Sequence, residues 1–148
     1  MMWEYFIHLA KKKSFLKMIY PANIFERRIQ EEIVRTDNSN YFFVYTEFDF
    51  ENLKPFFKTK EDSELFVRTL LNCLINDIRS SDAIGFLPKE RGVGVLMPES
   101  SNNAFDRIVH AFANKIPERK DLCSVLKEKV NPIIYPLCLS EKNENSSR

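Results

Sequence analysis

The sequence predicts a single α+β domain in which a mixed sheet carries packed helices. Three observations predict it. Tyr41-Phe42-Phe43-Val44-Tyr45-Thr46-Glu47-Phe48 runs almost continuously apolar and aromatic, the pattern of an interior strand covered on both faces. Three other stretches repeat their apolar residues at helical spacing. Between two of those stretches, Pro88-Lys89-Glu90-Arg91-Gly92 separates two short extended pieces, which reads as a hairpin.

At 148 residues the chain has the length of one domain with an ordinary core. The elements follow in order. Met1–Tyr20 mixes aromatics (Trp3, Tyr5, Phe6, Phe15) with Lys11, Lys12, Lys13 and Lys17. Such a segment could lie on a membrane surface, but its apolar positions fit a packing stripe equally well and the stretch is short. A helix packed on its own domain or on a second copy is therefore expected for residues 1–21.

From Ala22 to Arg35 the residues Phe25, Ile29 and Ile33 recur every four positions among charges, an amphipathic helix. Turn formers from Thr36 to Asn40 separate it from the strand Tyr41–Phe48. Thr59, with Asp62 three residues on, caps a long helix from about Lys60 to Arg79. Its apolar face is Val67, Leu70, Leu71, Leu74, Ile75 and Ile78.

The hairpin strands are Ala83–Leu87 and Val93–Met97. Phe105, Ile108, Val109, Phe112, Ala113 and Ile116 form another helical stripe. A short helix near Leu122–Glu128 then precedes a last strand, Pro132–Leu137, and residues 139–148 read as a disordered polar tail. This order of elements suits a ferredoxin-like arrangement.

Charge narrows the functions. Lys and Arg number 22 against 21 for Asp and Glu, so no global field recruits nucleic acid or an anionic membrane. Cys73, Cys123 and Cys138 are odd in number and widely spaced, with two histidines in the whole chain. Neither a disulfide framework nor a zinc site follows, and a reduced, cytoplasmic protein is expected. No apolar run reaches membrane-span length, and a signal peptide's apolar region is absent from the N-terminus. His8 and His110 lack acidic or cysteine partners at a recognisable spacing. No phosphate-binding loop or dinucleotide fingerprint appears, and no cofactor is expected.

Several local sequences line up, in order, with one family. Phe25–Arg35 looks like a lead helix ending in a Glu-x-x-Arg pattern. Glu47-Phe48-Asp49-Phe50 is similar to a strand ending in Asp-x-Asp and an aromatic. Arg79-Ser80-Ser81-Asp82 matches an Arg-x-x-Asp motif, and Gly94-Val95-Leu96-Met97-Pro98 matches a small-apolar-Leu-Leu-Pro strand. Over residues 22–138 the chain resembles the bacterial GGDEF, or diguanylate cyclase-like, domain. It also resembles the degenerate GGDEF-type domains attached to bacterial polysaccharide-synthesis proteins. The resemblance implies a nucleotidyl cyclase-like sheet.

The departures from the family bear on activity. An active GGDEF domain holds two divalent ions with acids from the first strand and the hairpin, because the transferring phosphoryl group needs its charge neutralised. Glu47 and Asp49 remain as strand acids. The signature itself has become Pro88-Lys89-Glu90-Arg91-Gly92, with one acid between two cations and no paired glycines. The family's guanine-reading residues have no counterpart in Glu51–Phe57. The resemblance therefore implies a degenerate domain that is not a cyclase and holds no metal.

Arg79 and Asp82 stand where product-inhibited cyclases bind cyclic di-GMP, and the five residues Ala83–Leu87 separate Asp82 from the degenerate signature, as that site requires. A guanidinium and a carboxylate suit a guanine edge and its phosphate; the same pair can be a plain ion pair at a helix end. The expected functions are a regulatory or scaffolding domain meeting a protein partner or a second copy, or a cyclic di-GMP receptor through Arg79 and Asp82. If the latter, the two side chains lie side by side on an uncovered surface.

Overall fold

Strand β4 (Gly92–Pro98) is buried along all seven residues and forms the middle of the sheet. The computed structural model describes residues 1–98 and 103–136. Around β4 the order is β1 (Ile19–Tyr20), β3 (Ala83–Phe86), β4, β2 (Phe43–Asp49), β5 (Ile133–Tyr135). β1 runs parallel to β3, and the remaining pairs are antiparallel. The protein is thus α+β with a mixed sheet, as its periodicities predict. β2 is an interior strand with Phe43 and Val44 at 3% and 0% exposure. It starts two residues later than Tyr41 and ends at Asp49, because its pairing with β4 runs from Phe43 opposite Pro98 to Asp49 opposite Gly92.

Alternation along the strands divides the core in two. Phe43, Ala83 and Leu96 face helix α2 (Ala22–Asp37) and meet Phe25, with Ile29, Ile33, Tyr45 and Tyr135 at the margin. The Phe25 ring lies over Gly85 and Gly94, which are paired across β3 and β4. A Cβ at Gly85 would come within 1.9 Å of Phe25 Cγ, so the glycines make the flat seat on which α2 docks.

On the opposite face Val44, Phe48, Ile84, Val93, Val95 and Met97 share a core with the four longer helices of that layer. These are α1 (Met2–Lys12), α4 (Lys60–Asn76), α5 (Ala104–Lys115) and α6 (Lys120–Lys129). Phe57, Phe66 and Phe112 form a chain of rings with centroids 5.0 and 5.2 Å apart, each contact contributing about 0.5–1.5 kcal/mol beyond area burial. Cys73 is buried in this layer and Cys123 is half-buried, both as free thiols.

Residues 1–21 join the same core. Met2, Phe6, Leu9 and Ala10 are buried, and Trp3 meets Phe86 edge-on, so the packing stripe is turned onto the domain's own α4. Lys11, Lys12 and Lys13 are exposed. A 3-10 turn, Leu16–Met18, then leads into β1, a two-residue strand that periodicity could not signal.

Thr59 caps α4 by accepting from the Asp62 amide at 3.1 Å. The reciprocal half of the capping box is absent, because Asp62 accepts from Arg119 at the start of α6 instead. α4 ends at Asn76, short of Arg79: Asp77 accepts from Lys115 on α5, and Arg79 is drawn into a turn with Asp82. No helix among the described residues is long and apolar enough to cross a membrane. The expected tail, 139–148, lies outside the described residues, as do Leu137 and Cys138.

Candidate functional site

The two strand acids share a face of β2 with Tyr45, two residues apart each time. Tyr45 donates its hydroxyl to Glu47 Oε2 at 2.7 Å. Burial, then the Glu47 carboxylate, raises the phenol far above its ordinary pKa. Asp49 closes the strand and opens α3 (Phe50–Leu53), a one-turn helix that the sequence pattern did not signal. Its Oδ1 accepts from the amides of Glu51 and Asn52 at 3.0 and 3.2 Å, which makes it the N-cap.

The other oxygen faces the hairpin. Arg91 donates Nε to Asp49 Oδ2 at 2.7 Å and Nη2 to Asn52 Oδ1 at 3.2 Å. Asp49, and at longer range Glu51 and Glu47, raise the guanidinium pKa further above its already high ordinary value. Arg91 reaches Asp49 because its neighbour Gly92 pairs with Asp49 across the sheet, and the Phe50 amide donates to the Arg91 carbonyl at 2.7 Å. Gly92 has no room for a side chain: a Cβ would fall 2.0 Å from the Phe48 carbonyl oxygen.

The loop between the strands turns through two left-handed residues, Lys89 (φ 61°) and Glu90 (φ 56°). That conformation suits glycine, and the resemblance places a signature glycine at the position of Lys89. The side chains of Pro88, Lys89 and Glu90 are exposed.

This donor set does not suit the two divalent ions that an active GGDEF domain holds. Both Asp49 oxygens are engaged by backbone amides and a guanidinium, one oxygen of Glu47 accepts from Tyr45, and the hairpin side chain brought to the strand end is a cation. Among the described residues no three His, Cys, Asp or Glu side chains gather as a metal-holding group.

Arg79 and Asp82 lie together where α4 passes into β3. The Arg79 amide donates to Asp82 Oδ2 at 2.8 Å, and its Nη2 donates to Asp82 Oδ1 and to the Pro98 carbonyl, both at 3.3 Å. The pair exists as the motif implies, but it is not uncovered. Asp82's side chain is 0% exposed against 42% for Arg79, and Arg107 from α5 stands 3.8 Å from Asp82 Oδ2. The carboxylate closes a turn and faces two arginines.

An open cleft of about 600 Å³ adjoins Arg79, lined also by Lys17, Met18, Tyr20, Ile78 and Ser80. A second, of about 620 Å³, lies at the start of α4 beside Lys54 and Lys58. Local sequence patterns did not single out Arg107, Asn52 or the Tyr45–Glu47 pair. Arg91 and Asp49 are 42 residues apart in the chain, and only strand pairing joins them. His8 and His110 are exposed. No family model, curated protein or solved structure matches the chain.

Proposed function

We propose that the chain is a non-catalytic regulatory or scaffolding domain of the GGDEF-like class, acting in the bacterial cytoplasm and connected with polysaccharide production. The observation that carries this reading is the Arg91–Asp49 contact at 2.7 Å. Phosphoryl transfer from a nucleoside triphosphate needs carboxylates free to hold divalent ions against the phosphates. Here the hairpin delivers a fixed cation to the strand acid, and Asp49's remaining oxygen caps a helix. The strand order β3-β4-β2, with the signature segment at the tip of the β3–β4 hairpin, supports the family resemblance on which the reading rests.

The test is turnover. Purified protein incubated with GTP and magnesium or manganese is expected to yield no cyclic di-GMP by chromatography. Product that disappears in Glu47→Ala overturns the reading.

A second reading, a cyclic di-GMP receptor, draws on the open cleft beside Arg79. Calorimetry with cyclic di-GMP decides it. Saturable heat lost in Arg79→Ala supports the receptor, and a flat trace at high micromolar ligand leaves the scaffold.

A further inference from the structure

The cleft between the N-terminal segment and the end of α4 differs from the rest of the surface in both shape and charge. Its floor is apolar, from Leu74, Ile75, Ile78 and Ile84, and its wall is Met18 and Tyr20. Those two are 61% and 41% exposed, although methionine and tyrosine are residue types enriched where proteins meet.

The rim is cationic. Lys17 and Arg79 line it, and the acid among the lining residues, Asp82, has its side chain covered and facing both Arg79 and Arg107. Lys11, Lys12 and Lys13 precede the lining residue Phe15 and are exposed. None of these four lysines makes an ion pair with the described residues. In a chain whose net charge is only +1, a run of three exposed lysines thus leads in sequence to Lys17 on the rim of an apolar hollow.

We propose that this cleft docks an acidic segment of a partner protein, which places one large apolar side chain on the floor and carboxylates against Lys17 and the Lys11–Lys13 run. The proposal rests on the regulatory reading and names its interaction surface. Two other occupants suit the surface less. A second copy of the chain in two-fold contact brings the same lysines face to face, and like charges repel across an interface. A bilayer takes apolar groups that protrude, whereas Phe6 is buried in the core and Trp3 is packed on Phe86, and the exposed apolar side chains here border a hollow.

The test selects a displayed library of random peptides on the intact chain, with a Lys17→Glu, Met18→Asp variant as the counter-selecting bait. Enriched sequences are expected to carry Asp or Glu around an aromatic or large aliphatic residue. A synthetic peptide of the leading sequence is then titrated by fluorescence anisotropy at low and high salt, and its footprint mapped by amide chemical shifts. Binding should weaken by about tenfold or more in Lys17→Glu and at high salt, with shifts confined to residues 15–21 and 74–84. Lys11→Glu combined with Lys12→Glu should weaken it without touching the cleft lining, and melting curves of all variants should match the parent.

Failure to enrich acidic sequences, or a footprint elsewhere, overturns the proposal. So does binding of phosphatidylserine vesicles that Lys17→Glu abolishes, which assigns the surface to a membrane, or cyclic di-GMP moving the same amides. GTP turnover is measured on the same preparation. Turnover together with peptide binding overturns the regulatory reading alone, and neither turnover nor peptide overturns the docking alone.

Discussion

Substituting Asp49 separates a structural carboxylate from a metal ligand. In Asp49→Ala the Glu51 and Asn52 amides lose their side-chain acceptor. Loss of an N-cap costs about 1 kcal/mol. The ion pair to Arg91 adds little to this, because the guanidinium is partly exposed and salt screens it. For a domain of this size, about 1 kcal/mol lowers Tm by roughly 2–4 °C. Asp49→Asn keeps an oxygen for the two amides, and Asn caps as well as Asp, so it should stay within a few tenths of a kcal/mol of the parent. Both variants are melted by circular dichroism with and without magnesium or manganese. The expected result is a destabilised Ala variant, a near-parental Asn variant and no effect of metal on any of them. Equal destabilisation by Ala and Asn refutes the capping role. Stabilisation of the parent by magnesium that both variants lose refutes the account of Asp49 as a spent carboxylate.

Three further outcomes are expected. Gly85→Ala drives a Cβ into the Phe25 ring and should destabilise by about 1–3 kcal/mol or more in urea titrations, with part of the loss recovered by the smaller Leu at position 25. Asp82→Ala, which removes a fully covered acceptor from the Arg79 amide and guanidinium, should cost about 1–3 kcal/mol and exceed Arg79→Ala in the same titration. Burial pushes the Cys73 thiol up to about 12, above an unfolded value of about 8.5. The unfolded chain therefore loses this proton first, and the thiol's contribution to stability should be fully present below about pH 8.5 and fall away toward pH 12. Cys73→Ala should flatten that decline, and a thiol reagent at neutral pH should modify Cys73 only after unfolding.

Elements whose signal is periodic and local were legible in the sequence. The Phe25–Ile29–Ile33 stripe, the run from Phe43 to Phe48 and the Phe105–Ile116 stripe each bury a face, and repetition of apolar residues is the direct record of that burial. Thr59 as a cap was legible for the same reason, since its acceptor and the Asp62 amide are three residues apart. Short elements left no such record: β1 has two residues and α3 four, less than one repeat of any pattern. For the site, the sequence determined which charged groups the hairpin and the first interior strand carry, Glu47, Asp49, Lys89, Glu90 and Arg91. Only the tertiary structure decided what they do, because antiparallel pairing of β2 with β4 brings Arg91 onto Asp49 across 42 residues of chain, and packing of α5 brings Arg107 toward the covered Asp82. Charge can be counted along a chain, but whether a carboxylate is free or spent depends on long-range neighbours and on burial, and neither has a local period.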